Sequence, residues 1–448
     1  MKRLLLLILI TGQLLSIPVT GYTGPKEDYE EAYKIYLAAG ASAAAYNGRI
    51  GELANRYLAQ EGWQIDHYVQ DQGQTGARYL IAQKPGVSYY LVAIVGTENR
   101  RDVKIDLKVD KVYFSGENPS EFIANANKKN IPDTEPKVHK GFNEFVQAGP
   151  SARLRNPRYD SLALPVLLQT DQTCKLYLTG HSLGGAAATL AGARLLSAGV
   201  SPEQLEVITF GAPAVGNAAF AAKFNSVLPL TRIVNSGDAV TGVLQTLVGG
   251  YQQFGKSIKW DTPDTLGDPH QLTSYLDAAL KNYYEKRHLA VAAGMQLPPP
   301  PATITAHRTP ILLLPLQNNL PSALQADFWY MNEALLDEYR HTFPNYVLAE
   351  NQTVSDDWRQ TAAASGCRWA IVSEVSASRV KEKRDIYYIT ITQTVYDTKT
   401  GAVADIASFS SSNDTLTPLE AFIHAFKDMN GHTSNRFTDL AASTKLNK

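Results

Sequence analysis

The hydrophobic pattern of the first two thirds of the chain alternates between strand-like and helix-like segments. Apolar and polar residues alternate in Trp63–Val69 and Ala77–Lys84, which predicts two strands, and the apolar run Ser88–Val95 predicts a buried third strand. Two later apolar runs predict further buried strands: Leu205–Phe210 and Thr231–Asn235. Three segments have the apolar spacing of helices: Lys26–Tyr46, Glu52–Gln60 and Leu272–Tyr284. Strands that alternate with helices predict an α/β fold with a central, mostly parallel sheet.

A proline-rich segment interrupts this pattern. Leu297–Pro310 contains four consecutive prolines at Pro298–Pro301, a composition typical of an extended linker. Beyond it, the pattern restarts and predicts a hairpin of Asp385–Tyr396 with Ala402–Phe409 and a closing helix at Leu419–Met429. The predicted regions are an export signal at residues 1–21, an α/β domain at 22–295, a linker at 296–310 and a smaller α/β (α+β) domain at 311–448.

The composition indicates a folded protein without the charge of a nucleic-acid binder. The 448 residues exceed one typical core, so two domains are expected. Lys and Arg (42) balance Asp and Glu (43) for a formal net charge of −1, which excludes a strongly basic nucleic-acid surface. Cys174 and Cys367 are the only cysteines, and we expect two buried free thiols, with a bridge between them as the alternative.

The first residues have the pattern of a secretory signal. Lys2 and Arg3 precede the mostly Leu and Ile run Leu4–Leu15, and the small residues Val19 and Gly21 stand where cleavage is expected. The run is short for a membrane span, so we expect export to the periplasm or the exterior, with an uncleaved anchor as the alternative. Association with the cell envelope is left open.

The most informative stretch is an apolar strand that ends in Gly180-His181-Ser182-Leu183-Gly184 and continues into a helix of small residues. This G-x-S-x-G pattern is typical of a nucleophile elbow, a sharp turn that exposes one serine hydroxyl above a sheet. Glycine is required at both ends of the motif because the turn brings backbone segments too close for a Cβ atom. The pattern therefore predicts Ser182 as a nucleophile, which needs a histidine base and an acid that orients it.

Candidates for the acid and the base follow the serine in the order that hydrolases of this fold use. Asp238 comes just after the predicted strand Thr231–Asn235, and His270 stands beside Pro269 in a loop that opens the last predicted helix. The alternatives are acids in a polar loop and histidines in a helix or in the linker: Asp261, Asp264, Asp268, His288 and His307. We expect Asp238 and His270 to complete a triad with Ser182.

An oxyanion hole needs two hydrogen-bond donors. The backbone N–H of Leu183, the residue after the nucleophile, is one candidate, because the N-terminus of a helix presents free N–H groups. The turn Gly96-Thr97 after the strand Ser88–Val95 is the other, and Thr97 would offer both its N–H and its hydroxyl. The alternative for this turn is an ordinary β-turn.

Together these blocks resemble the class 3 (fungal-type triacylglycerol) lipase family over residues 30–285, roughly. The resemblance is carried by five blocks: Gly180–Ala186, Val138–Phe142, Thr209–Pro213, Ile233–Asp238, and Gly96-Thr97 with Asp102–Leu107. It implies an α/β-hydrolase fold with nucleophile Ser182, orienting acid Asp238 and general base His270. It also implies that Thr97 and Leu183 supply the oxyanion donors.

The same resemblance implies a structural role for His139 and a lid at Lys108–Lys137, where the sequence has no obvious amphipathic helix. Val95 departs from the arginine that the family commonly has before Gly-Thr, so the bracing of the oxyanion loop is an open question. In the C-terminal half, Ile311–Leu316 and Ser365–Val375 are similar to small α/β domains of bacterial envelope proteins, including periplasmic activators of cell-wall synthases and the amino-terminal domain of the Tol translocation protein. This similarity implies an envelope protein partner and no chemistry in that half.

The expected function is hydrolysis of carboxylic esters of lipids, such as acylglycerols, by an exported lipase that forms an acyl-enzyme. No metal or cofactor is expected. A phospholipase or a short-chain esterase on the same triad is the nearest alternative. An envelope binding or scaffold protein with an inactive hydrolase domain is the alternative of another class.

Overall fold

The computed structural model describes residues 24–46, 49–70, 77–96, 110–148, 164–261, 268–301, 309–349, 357–380 and 386–446. The predicted export signal at residues 1–21 and residues 302–308 of the predicted linker lie outside these ranges. Within them, the helices are too short or too polar to cross a membrane.

A seven-stranded sheet organises the N-terminal half. Its strands are β1 (Gln64–Gln70), β2 (Ala77–Lys84), β3 (Tyr89–Ile94), β6 (Lys175–His181), β7 (Leu205–Phe210), β8 (Leu230–Asn235) and β9 (Lys256–Trp260), adjacent in that order. β1, β2 and β3 pair antiparallel, and every pair from β3 to β9 is parallel. A separate antiparallel pair is formed by β4 (Lys111–Tyr113) and β5 (Lys137–His139). The predicted α/β class with a mostly parallel sheet is confirmed.

Helices cover both faces of this sheet. They are α1 (Pro25–Ala44), α2 (Arg49–Gln60), α3 (Pro119–Ala126), α4 (Lys140–Ala148), α5 (Leu164–Thr170), α6 (Leu183–Ser197), α7 (Ala218–Phe224) and α8 (Leu272–Ala292). Successive side chains of a strand point to opposite faces, and β3 shows the result. Leu91 and Ala93 join the buried cluster of α1 and α8, whereas Tyr90 and Val92 join the cluster of α6. The elbow helix and the helix that follows His270 therefore lie on opposite faces.

The C-terminal half contains a second sheet. Its strands are β10 (Ile311–Leu313), β11 (Gln317–Asn319), β12 (Val347–Leu348), β13 (Trp369–Arg379), β14 (Tyr387–Asp397) and β15 (Val403–Ser412). The order is β12-β10-β13-β14-β15, with β11 also beside β13. Its helices are α9 (Phe328–Thr342), α10 (Trp358–Ala364) and α11 (Pro418–Leu446). The predicted hairpin is β14 with β15, but the closing helix is much longer than the predicted Leu419–Met429, because the apolar face continues to Phe437.

One buried cluster joins the two halves. It extends from α1 and α8 on the first sheet to Met331 and Leu335 of α9 and Phe422 of α11 on the second sheet. The two sheets therefore share a continuous core, although the predicted domain boundaries stay a prediction. Cys174 and Cys367 are buried free thiols in two other clusters.

The described part of the predicted lid, residues 110–137, is more ordered than its polar composition suggests. It contains β4 and α3, a helix of 8 residues that is too short to show a period in the sequence. Asn118 caps α3 by accepting the Glu121 N–H, and the Glu121 carboxylate accepts the Glu117 N–H. Phe122 of α3 packs on Phe114 with ring centroids 5.0 Å apart, and both side chains are buried.

Candidate active site

A sharp turn presents Ser182 between β6 and α6. Ser182 has φ 57° and ψ −125°, a strained conformation for a residue with a Cβ atom. A Cβ atom on Gly184 would lie 2.1 Å from the Ile94 carbonyl oxygen, and one on Gly180 would lie 2.4 Å from the Gly184 carbonyl carbon. Only glycine fits at these two positions, which is the geometric reason for the G-x-S-x-G pattern.

The structure brings Ser182, His270 and Asp238 together in one hydrogen-bonded chain. Ser182 Oγ lies 3.0 Å from His270 Nε2, and His270 Nδ1 lies 2.8 Å from Asp238 Oδ2. Asp238 follows β8 at a turn in which Gly237 has φ +84°, and His270 precedes α8. The His270 N–H donates to Asp268 Oδ1 at 2.9 Å, which orders the loop.

Asp238 is held ionised at the buried end of this chain. Its side chain is fully buried, whereas that of His270 is 17% exposed. Besides His270, it accepts hydrogen bonds from the Tyr275 hydroxyl at 2.6 Å and from the Val240 N–H at 2.9 Å. Burial opposes ionisation, but His270 and these donors outweigh it and hold the pKa of Asp238 below its usual range.

Three residues that the sequence analysis did not include orient the histidine and the acid. His181 Nε2 donates to the His270 carbonyl oxygen at 2.7 Å, and Asn235 Nδ2 donates to the Pro269 carbonyl oxygen at 3.0 Å. Burial lowers the pKa of His181 to about 3, so its ring is neutral and this donor is a single N–H. Tyr275, which donates to Asp238, also accepts the Asn235 N–H at 3.1 Å. The position of His181 next to the serine could have indicated that it lies in the site. The positions of Tyr275 and Asn235 in the sequence do not indicate that they support the acid and the histidine.

The end of β3 lies against the elbow, where the oxyanion donors are expected. Leu183 is the first residue of α6, and a Cβ atom on Gly96 would lie 3.2 Å from the Gly184 nitrogen. Thr97 lies outside the described residues, so its expected role is untested. The Tyr46 hydroxyl accepts the Gly96 N–H at 2.9 Å, and burial raises the pKa of Tyr46 to about 12, which keeps the phenol neutral. This hydrogen bond holds Gly96 beside the elbow, where the sequence has Val95 in place of the arginine that is common in the family.

The alternative residues have other environments. Asp261 accepts the Ser236 hydroxyl at 2.7 Å, and His288 is exposed beside Trp329. Asp264 and His307 lie outside the described residues. His139, for which a structural role was expected, is buried and stacks on Phe142 with ring centroids 4.1 Å apart.

The sequence matches a known family across the strand, elbow and acid. Residues 91–247 match the model of the lipase (class 3) family. Over these residues the chain is similar to the class 3 lipases. The matched segment contains Ser182 and Asp238, while His270 lies beyond it.

Several named proteins are similar to short parts of this chain. The chain is 45% identical over 67 residues to Lipase ZK262.3 of Caenorhabditis elegans, which is 14% of this chain and 19% of that protein. It is 34% identical over 115 residues to phospholipase A(1) DAD1 of Arabidopsis thaliana, which is 25% of this chain and 26% of that protein. It is 43% identical over 79 residues to a lipase of Rhizopus oryzae, which is 17% of this chain and 20% of that protein. The chain thus matches only 19–26% of the length of these relatives.

Solved lipase structures cover about half of the chain. The lipase of Rhizopus microsporus var. chinensis is 25% identical, with a TM-score of 0.38, and the match covers 51% of this chain and 74% of that one. The triacylglyceride lipase of Rhizomucor miehei is 23% identical, with a TM-score of 0.39, and the match covers 51% of this chain and 80% of that one.

Proposed function

We propose that this protein is a serine hydrolase of lipid carboxylic esters, with Ser182, Asp238 and His270 as its catalytic triad. The observation that carries the proposal is the continuous chain of contacts at 3.0 Å and 2.8 Å from the serine hydroxyl through the imidazole to a buried carboxylate. A serine hydroxyl is a weak nucleophile, and this arrangement supplies the base and the orienting acid that it needs.

The first half of the reaction forms an acyl-enzyme. His270 Nε2 takes the proton of Ser182 as Oγ attacks the ester carbonyl carbon, and negative charge develops on the carbonyl oxygen. The Leu183 N–H and the donors of Thr97 stabilise that oxyanion. His270 then gives its proton to the alkoxy oxygen, and the bond between the acyl carbon and this oxygen breaks.

The second half releases the acid. His270 takes a proton from water, the hydroxide attacks the acyl carbon, and the bond to Ser182 Oγ breaks as the serine regains its proton. In both halves His270 becomes an imidazolium ion. Asp238 stabilises this cation because its carboxylate stays ionised.

Lipid esters are the proposed substrates because residues 91–247 match the class 3 lipase model and parts of the chain are similar to named lipases of Caenorhabditis elegans and Rhizopus oryzae. The similarity to a protein named phospholipase A(1) supports phospholipid hydrolysis on the same triad as a second candidate. The two candidates share the chemistry and differ in the head group that the site accepts.

The structure of the predicted lid, residues 110–137, leads us to expect only weak activation by a lipid interface. Phe114 and Phe122 are 1% and 4% exposed, whereas Ile123 is the large apolar side chain of this segment that faces solvent, at 49%. Phe114 also packs on Phe220 of α7 with ring centroids 5.1 Å apart. A segment whose phenylalanine side chains are already buried in the core offers little apolar surface for a lipid interface.

Export and an envelope partner stay predictions. The export signal rests on the pattern at residues 1–21, and the envelope partner rests on a resemblance in the C-terminal half for which the comparisons give no support. Neither is needed for the proposed chemistry.

The test is a substrate panel with the full-length protein and two serine variants. Triacylglycerol, phosphatidylcholine and a short-chain p-nitrophenyl ester are offered below and above the concentration at which each forms an interface. Ser182→Ala should abolish turnover, while Ser197→Ala, on the same helix with its hydroxyl bonded to the Ala193 carbonyl oxygen, should keep it. Turnover of none of these esters by the wild type, or full turnover by Ser182→Ala, contradicts the proposal.

A further inference from the structure

Helix α8 connects the candidate triad to the C-terminal half. It begins just after His270 and carries Tyr275, whose hydroxyl donates to Asp238 at 2.6 Å. One side of α8 packs on α1 and on the first sheet, where Tyr275 contacts His181 with ring centroids 5.7 Å apart. The orientation of α8 therefore determines where Tyr275 meets the acid and where the loop of His270 begins.

The other side of α8 is held by polar contacts with residues of the C-terminal half. Thr417 Oγ1 donates to Asp277 Oδ1 at 2.7 Å. Lys281 Nζ pairs with Asp277 at 2.9 Å and with Asp327 at 2.7 Å. Asp277 is fully buried, and burial raises its pKa even though Lys281 and Thr417 act in the opposite direction.

Further along the same helix, Arg287 makes two buried ion pairs. Its side chain is 6% exposed and pairs with Glu333 at 2.9 Å and with Asp337 at 2.5 Å, both on α9. Glu285 accepts the Tyr330 hydroxyl at 2.5 Å. Asp277, Lys281, Glu285 and His288, whose ring lies beside Trp329 of α9, recur at helical spacing, so these side chains form one stripe that faces the C-terminal half.

We propose that the C-terminal half is a positioning element of the active site, which acts on His270 and Asp238 through helix α8. The inference rests on the proposed function. Buried ions keep their partners at short range because an unpaired buried charge is strongly destabilising. The partners of Asp277, Lys281 and Arg287 therefore hold α8 in one place, and with it Tyr275.

Small displacements of a triad matter more for rate than for folding. A misplacement of about 1 Å in reacting groups can lower a rate by about 100-fold. Helix α8 supports the acid through Tyr275 and begins just after the loop of His270, so we expect a shift of this helix to lower kcat much more than it changes KM. This split distinguishes positioning from general loss of structure, which lowers the amount of active protein.

The experiment changes the C-terminal partners and leaves α8 itself intact. Thr417→Val removes the hydroxyl that donates to Asp277, and Thr417→Ser restores it. Thr417 also caps α11 with Glu420, so its replacement changes that cap as well. Asp327→Asn is therefore a second variant: it removes the charge that pairs with Lys281, and Asp327 makes no side-chain cap on α9. Arg56→Ala is the control, because the exposed Arg56–Asp428 pair also joins the two halves, but through α2 and α11.

Two readouts are taken on the full-length protein. One is the split between kcat and KM with a p-nitrophenyl ester. The other is the low-field proton NMR signal of the His270 Nδ1–H bonded to Asp238, which needs no substrate. Thr417→Val should lower kcat about fivefold or more and broaden or shift the signal, and Asp327→Asn should act in the same direction. Thr417→Ser and Arg56→Ala should stay within about twofold of the wild type.

Folded variants with unchanged kcat and an unchanged low-field signal overturn the proposal. The same is true if Arg56→Ala lowers kcat as much as Thr417→Val does. If Thr417→Val does not fold, Asp327→Asn decides by the same criteria. Failure of the proposed function can be told apart from failure of this inference. If the wild type does not hydrolyse esters, the low-field signal of His270 and its response to the substitutions still test the positioning role.

Discussion

Tyr275→Phe removes the hydroxyl group that donates a hydrogen bond to the candidate acid Asp238. The Tyr275 side chain is fully buried, and its hydroxyl donates to Asp238 Oδ2 at 2.6 Å and accepts the Asn235 N–H at 3.1 Å. Phenylalanine fills the same volume, so the ring contacts with Phe210 and His181 persist. The substitution therefore isolates two hydrogen bonds without creating a cavity.

The expected magnitude follows from the charge of the acceptor. A hydrogen bond to a charged group contributes about 1.5–3 kcal/mol, and a buried N–H left without a partner costs about 1–3 kcal/mol. We expect the free energy of unfolding to fall by about 2–4 kcal/mol at pH 7. Asp238 keeps its bonds to His270 and Val240, so the triad persists, but a less stable carboxylate orients the imidazole less firmly. We expect kcat to fall by about tenfold, which corresponds to about 1.4 kcal/mol of activation free energy.

The assay pairs urea unfolding with steady-state hydrolysis of a p-nitrophenyl ester. Tyr57→Phe is the matched control, because the Tyr57 side chain is 3% exposed and its hydroxyl has no hydrogen-bond partner among the residues that the structure describes. The control should keep both stability and kcat. Wild-type kcat in a folded Tyr275→Phe protein would refute the inference that the hydroxyl supports the acid.

Two further predictions concern the oxyanion loop and acid stability. Tyr46→Phe removes the acceptor of the Gly96 N–H, so we expect lower kcat at similar KM in steady-state assays, and an unchanged kcat in the folded variant would show that Tyr46 does not brace the loop. Burial lowers the pKa of His139 from its ordinary 6.5 to about 4. The unfolded chain thus binds a proton more readily than the folded chain between these pH values, and stability is lost as pH falls through 6.5. From pH 7 to 5 this single group should cost about 2 kcal/mol in urea unfolding. His139→Gln should reduce the pH dependence by that amount and His288→Gln should not, and an equal pH dependence in all three proteins would contradict the assignment.

The candidate triad was predictable from sequence because each member carries a local signal. The strained turn at Ser182 requires glycine at both ends of the motif. Asp238 follows a strand and His270 precedes a helix, and both come after the serine in the expected order. These signals are short-range consequences of backbone geometry, which a few neighbouring residues encode.

The supporting residues were not predictable because they are distant in sequence. Tyr46 lies 50 positions from Gly96, and Tyr275 lies 37 positions from Asp238. A tyrosine in a helix usually indicates nothing more than a core position. Only the folded structure shows that these hydroxyl groups meet the oxyanion loop and the acid.

The interface between the two halves was also not predictable from the sequence. Arg287 and Asp337 look like solvated charges in the sequence, yet they are buried where α8 meets α9, and Lys281 is half-buried beside Asp327. Helix α3 was missed for a different reason, since it has 8 residues and is specified by its Asn118 cap instead of a hydrophobic period. Pattern analysis finds elements that bury one face, and it does not find partners that meet across a tertiary interface.

The proposed ester hydrolysis depends on Ser182 as the nucleophile. The most direct test treats the full-length protein with a fluorophosphonate ester probe and locates the adduct by peptide mass spectrometry. We expect about one adduct per chain, on Ser182, together with loss of ester hydrolysis at the same rate. We expect neither adduct nor hydrolysis in Ser182→Ala, which should keep the near-ultraviolet circular dichroism of the wild type. An adduct on another serine that abolishes hydrolysis, or undiminished hydrolysis by Ser182→Ala, would contradict the claim.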